Sequence, residues 1–171
     1  MDALESLTTR RSIRRFTRQP VGDDMLELLL RAAMAAPSAF NEQPWHFVVA
    51  RNAETLKRLS TVSPYAGPMA KATLGIIVCG ETARLRYPDS NYWIFDCVAA
   101  MENLLVAANG LGLGAVWLGI QPWPERIDAV RAISGVPDDV EPLGMAAIGW
   151  PDETKPPADR YDESRVHTEQ W

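Results

Sequence analysis

The chain has 171 residues, 47% of them hydrophobic, and a formal net charge of −5, which suffices for one domain with a real core and is too short for a comfortable division into two. No apolar run approaches the roughly 20 residues that span a bilayer. The opening residues lack the basic-then-apolar order of a secretory signal and include Asp2 and Glu5, unlike an acid-poor transit peptide. A cytoplasmic protein is expected, with neither membrane nor nucleic acid as a partner, since an acidic balance speaks against an extended basic face.

Leu4 and Leu7 share one helical face, which predicts a short helix running up to an arginine cluster, RRSIRRFTR at residues 10 to 18. From Asp23 to Ala36 the apolar positions cover most of a helix, with Asp23 and Asp24 in the favourable first turn and Pro37 as its stop. HFVVA (46 to 50) reads as a short buried strand, AETLKRL as a surface helix and TLGIIVCG (73 to 80) as a second buried strand. Pro and Gly interrupt any pattern between Tyr65 and Lys71 and from Arg84 to Tyr92, so loops or flaps are expected there. Ile94, Val98, Met101, Leu105, Ala108 and Leu111 mark a long helix closing at Gly110 and Gly112. GAVWLGI (114 to 120) and LGMAAIGW (143 to 150) are further strands, with a helix from Pro124 to Ile133 between them. The tail after Trp150 is rich in Pro and charge, with too little apolar content for a core of its own. Alternating helices and strands indicate an α/β or α+β domain.

The arginine cluster reads either as a solvated basic turn or as a cradle for one phosphate. Ser12 within it adds a hydroxyl to the guanidinium groups, and Ile13 and Phe16 are spaced to anchor one side to the core. In APSAFNEQPW (36 to 45), the helix stop and strand start account for Pro37, Ser38 and Pro44 but not for Asn41 and Gln43, whose amides suit a planar, polar-edged ligand. Gly110, Gly112 and Gly114 follow a helix and lack the GxGxxG spacing, which argues against a dinucleotide fingerprint. His46 and His167 have no partners at ligand spacing, so no metal site is expected, and no GxSxG elbow supports a serine nucleophile. Cys79 and Cys97 lie inside apolar elements and are expected to be buried and reduced.

Four stretches taken in order, RRSIRRF, APSAFNEQPWHFVV, NGLGLGAVWLG and KPPADRYDESRVH, resemble the FMN-dependent nitroreductase family in its short form. The resemblance covers nearly the whole chain. It implies an α+β fold with a central mixed sheet flanked by helices, a single domain over residues 1–171 with an extended tail from about residue 151, and a homodimer with two FMN sites at its interface. By the same resemblance Arg10, Arg11, Ser12 and Arg14 hold the phosphate, ribityl chain and pyrimidine edge of FMN. Pro37, Ser38, Ala39, Asn41 and Gln43 are donated from the opposite subunit, Ala39 standing where the family often has a second small hydroxyl. Trp117, Leu118 and Gly119 lie beside the flavin ring, and Arg160, with Lys155 as competitor, returns from the tail to the phosphate. The implied activity is oxidation of NADH or NADPH with transfer of electrons, by way of flavin N5 and a ping-pong cycle, to a nitroaromatic, quinone or similar acceptor. No catalytic residue is then required of the protein, because the flavin carries the chemistry. Tyr65, Tyr92 and Trp93 fall in the irregular stretches and are candidates for a lid or for simple packing. A flavin-binding protein without turnover, and a specialised flavin enzyme (dehalogenase, ene-reductase or flavin-cleaving), are alternatives on the same fold.

Overall fold

The computed structural model describes residues 1–83 and 85–171. Its helices are α1 (Ala3–Thr9), α2 (Asp23–Met34), α3 (Ala53–Leu59), α4 (Tyr92–Gly110) and α5 (Pro124–Ser134), and its strands are β1 (Trp45–Ala50), β2 (Leu74–Glu81), β3 (Gly114–Gly119) and β4 (Val140–Gly149). The expected irregular stretches hold 3₁₀ turns at Gly67–Lys71 and Pro88–Ser90; Arg84, where the second of them begins, lies outside the described residues.

The strands form one sheet in the order β1-β2-β4-β3, each neighbouring pair antiparallel. The α+β class is as expected. The sheet is mixed only through an arm that precedes α2: Ser12 bridges Ala115 in parallel. β3 and β4 are antiparallel because α5 returns the chain to the end of the sheet at which β3 finishes, so that Gly119 pairs with Gly144 and Gly114 with Gly149 at the end of β4.

Alternation along the strands decides which layer each side chain enters. Ile76 and Val78 of β2 join the layer under α2 and α4, together with Leu104, Met101 and Ile148. Ile77 and Cys79 enter the opposite layer with Leu56 and Leu59 of α3 and Val130 of α5. A bulge opposite Val78 and Cys79, which pair with Gly144 and Pro142, leaves Leu143 as the extra residue and reverses the alternation of β4 there. Each fully buried Leu or Ile contributes about 1.5–3 kcal/mol through area removed from water. The strand β4 starts before the predicted Leu143 because Arg131 draws in its polar beginning, donating to Val140 O (2.8 Å) and Glu141 Oε1 (2.9 Å).

Cys79 and Cys97 are free and buried. Burial pushes both thiols up to about 12, so neither is a nucleophile at neutral pH. Among the described residues no helix is long and apolar enough to cross a membrane.

Candidate functional site

The arginine cluster is delivered by the docking of α1 on the last turns of α4. Ser6 Oγ donates to Val106 O (2.6 Å), and Asn109 Nδ2 donates to Ser6 O and Thr9 Oγ1 (both 2.9 Å). Beyond Thr9 the chain extends along the outer edge of β3. The Ile13 N–H donates to Ala115 O (3.0 Å), and the Ile13 side chain covers Gly114 so closely that a Cβ there would lie 2.6 Å from Cγ2. Phe16 covers Gly149 in the same manner at 3.1 Å. Ile13 and Phe16 thus hold the arm down as expected, but through an extended arm and not through the shared helical face that their spacing implied, and Arg14 and Arg15 between them are exposed.

Those charges have different surroundings. Arg10 pairs with Glu102 (3.3 Å). Among the described residues Arg11 donates only to carbonyl oxygens, those of Thr8 (3.0 Å), Arg10 (2.6 Å), Pro156 (3.0 Å) and Ala158 (3.4 Å), and no carboxylate offsets its charge. Among the described residues the Arg14 guanidinium reaches only Ser12 O (3.3 Å). The Ser12 hydroxyl makes no hydrogen bond among the described residues. Arg15 pairs with Asp152 (3.7 Å), and with Arg18 it lines a separate concavity beside Lys71 and Thr73.

The tail settles against this arm through Glu153. Its Oε1 accepts the backbone N–H groups of Arg14 (2.6 Å) and Arg15 (3.3 Å), and its Oε2 pairs with Lys155 (3.3 Å). The Arg14 N–H, more than Lys155, holds the Glu153 carboxyl below the ordinary glutamate range. Lys155 is therefore engaged, whereas Arg160 has no partner among the described residues. Arg160 lines a cleft of about 570 Å³ between residues 7–11 and 157–161, with Arg10 and Arg11 on the facing wall. Of Lys155 and Arg160, Arg160 is the one that lines this cleft.

The arm covers only the start of the β3 edge. Because Ala115 turns its carbonyl outward to Ile13, alternation turns the backbone groups of Trp117 and Gly119 outward as well. Gly119 O accepts from Arg126 (3.1 Å) on that side. Gly119 is exposed, and a Cβ built on it would meet nothing within 4 Å. Leu118 points into the core instead. Gly119 lies four positions beyond Ala115, about 13 Å along a strand.

The segment from Pro37 to Gln43 lies elsewhere on the same chain. Ala39 donates its N–H to Asp96 Oδ1 (2.9 Å) near the start of α4, whereas Thr9 docks at Asn109 near its end; the two contacts are about 20 Å apart along the helix axis. The loop is strained, with Phe40 (φ 53), Asn41 (φ 57) and Gln43 (φ 51) in the left-handed region. It is braced from within: Gln43 N–H donates to Ser38 Oγ (3.0 Å) and Gln43 Nε2 to Asn41 Oδ1 (2.8 Å). Asp96 is 5% exposed, and burial, more than the repulsion from Glu42, raises its carboxyl above the ordinary range against the lowering effect of the Ala39 N–H.

The lid expectation needs correction. Trp93 is buried, standing over Gly80 in the core, because the first turn of α4 presents that position inward. Tyr65 is exposed and takes no part in the cleft that Tyr92 lines. Tyr92 instead joins Phe40 (ring centroids 6.2 Å) and, through it, Tyr87 (5.3 Å), with the Arg86 guanidinium 5.1 Å from the Phe40 centroid. Phe40, Arg86 and Tyr87 were not singled out in the sequence, and neither were Glu102, Glu153 and Asp96; aromatics in an irregular stretch and single carboxylates carry no spacing signal.

This geometry has known counterparts. The nitroreductase family model matches residues 7–63 and 64–150. A protein of Methanothermobacter thermautotrophicus, provisionally named NADH dehydrogenase/NAD(P)H nitroreductase, is 40% identical over 171 residues, covering 100% of this chain and 88% of the relative. The crystal structure of a similarly named protein from Bacteroides thetaiotaomicron superposes with a TM-score of 0.93 at 37% identity, covering 99% of this chain and 98% of the other. A provisionally named nitroreductase from Desulfovibrio desulfuricans, solved in complex with FMN, gives a TM-score of 0.81 at 29% identity, with 100% of this chain and 98% of the other covered. The chain belongs to the nitroreductase family.

Proposed function

We propose that the protein is an FMN-dependent NAD(P)H oxidoreductase whose flavin sites lie at the interface of a homodimer. The reading is carried by one observation: a cleft walled by Arg11 and Arg160, neither of them paired to an acid among the described residues, with Ser12 next to Arg11 in the chain. That donor set fits a phosphate monoester, because charge-assisted and bidentate bonds from guanidinium groups are the strong ones available to it. Arg10 is shared with Glu102, so its contribution is smaller than that of Arg11 and Arg14.

In this reading Arg11, Ser12 and Arg160 hold the phosphate, Arg14 reaches toward the pyrimidine edge, and the outward N–H groups of Trp117 and Gly119 lie beside the ring, where the space over Gly119 is open. The chemistry that FMN supplies when bound is hydride acceptance at N5 from NADH or NADPH and delivery of the electrons, in a ping-pong cycle, to a nitroaromatic, quinone or similar acceptor. The protein binds and orients; no side chain is assigned as acid, base or nucleophile.

Support for the dimer comes from the spacing along α4. Asn41 and Gln43 sit about 20 Å along the helix from the docking point of the arm, so a second copy supplies them if they reach the flavin. Large apolar side chains are also left bare on α2 and α4, Leu28 (48% exposed), Met34 (52%) and Phe95 (65%), and on the tail, Tyr161 and Trp171. The tail, with residues 154–171 all exposed, gains a surface to pack on in a dimer.

The test is a visible spectrum of purified protein after addition of FMN, followed by anaerobic mixing with NADH and with NADPH. Flavin bands that bleach with either nicotinamide, and return on addition of a quinone, are expected. Bound flavin that neither reductant bleaches points to a flavin-binding protein without turnover, and absence of flavin binding overturns the reading.

A further inference from the structure

We propose that Asp96 is the positioning residue for the flavin-facing loop, fixing through Ala39 the direction in which Asn41 and Gln43 present their amides; this rests on the flavin reading above. Three non-glycine residues of that loop, Phe40, Asn41 and Gln43, occupy the left-handed region, a conformation that persists only where the surroundings over-determine it. The bonds from Gln43 to Ser38 and Asn41 shape the loop but tie it only to itself. The Ala39 N–H donated to Asp96 Oδ1 (2.9 Å) ties it to α4.

The carboxyl is a costly tie. Asp96 is buried on the stretch of α4 that also carries the core residues Trp93, Cys97 and Ala100, and its Oδ2 has no hydrogen-bond partner among the described residues. A buried, half-satisfied carboxylate lowers stability relative to a well-packed apolar side chain. Local rules broken in this way are characteristic of functional sites, where stability is given up for geometry. Glu42, from the loop itself, accepts the Arg86 N–H (2.6 Å) and tethers the loop only to another irregular stretch. Asp96 is thus the acceptor that registers the loop against a rigid element.

Asp96→Ala and Asp96→Asn in the full-length protein separate this from a structural role. Loss of the acceptor in Asp96→Ala is expected to raise the FMN dissociation constant about tenfold, to change the visible circular dichroism of bound FMN, and to leave the Tm of the flavin-free protein unchanged or higher. Asp96→Asn, which keeps Oδ1, restores affinity and spectrum. Ala39→Pro removes the donor from the other side, and Ser38 (φ −139, ψ 151) already has the backbone that precedes proline; combined with Asp96→Ala it should add no further loss. Unchanged FMN affinity in Asp96→Ala overturns the proposal, as does equal loss in Asp96→Ala and Asp96→Asn, or full affinity in Ala39→Pro. Amide hydrogen exchange over residues 38–43 of the flavin-free protein is read in parallel. If wild type binds no FMN, the flavin reading falls by itself; faster exchange in Asp96→Ala, reversed in Asp96→Asn, still supports the tie to α4, and unchanged exchange overturns it.

Discussion

Arg14 and Arg18 stand four residues apart on one extended arm, yet the fold gives them different neighbours. Arg14 has its backbone clamped by Glu153 and a guanidinium that donates to Ser12 O, whereas Arg18 lines a concavity beside Lys71. Replacing Arg14 with Ala should cost about 1.5–3 kcal/mol of FMN binding, the worth of a hydrogen bond to a charged group. The same change at Arg18 should stay within about 0.5 kcal/mol, as surface substitutions do. Flavin fluorescence titration compares the two, and equal losses would undo the division of the cluster. A parallel contrast holds in the tail: Arg160→Ala should weaken FMN, and Lys155→Ala, which breaks only the pair with Glu153, should not. The arginines were legible because five of them in nine positions demand an explanation. Asp96 was not, because one acid within an apolar helix reads as a solvated position until the packing shows that it faces inward.

Among the elements, the free stretch of the β3 edge and the tail carry the sharpest expectations. Gly119 has open space where a side chain would project, so Gly119→Val should fold with little change in Tm yet exclude the flavin ring; absorbance of the purified variant reports how much flavin is retained. Retention equal to wild type would remove β3 from the site. Glu153 fastens the tail to the arm, and its lowered carboxyl sets the pH dependence. A carboxyl whose folded value lies below its unfolded one contributes stability that is present above the unfolded value and is lost as pH falls through the folded one. Protection of residues 151–156 from proteolysis should therefore hold at neutral pH and disappear only under acid conditions below the ordinary glutamate range. In Glu153→Gln that acid step should be absent.

For the whole molecule, coupling between assembly and cofactor is the decisive quantity. If the 37–43 segment of one copy completes the site of the other, FMN binds the dimer and not the monomer, and ligand linkage then stabilises association. Sedimentation velocity on serial dilution should show the flavin absorbance leaving the protein as the dimer dissociates, and added FMN should shift dissociation to lower protein concentration. A monomer that retains its flavin would break the link. The sequence by itself determined the elements and their order, because hydrophobic period, Pro37 as a helix stop and the glycines after α4 are local signals. It also marked the chemistry of the arm, since charge density is visible without coordinates. Which charges remain available was decided only by tertiary structure: Glu102 reaches Arg10, and Glu153 takes Lys155 and leaves Arg160 to face the cluster. The same holds for Trp93, buried by the seating of α4, and for the antiparallel pairing of β3 with β4, set by where α5 delivers the chain. Pairings between residues more than a hundred positions apart follow from how layers pack, and no local pattern carries them.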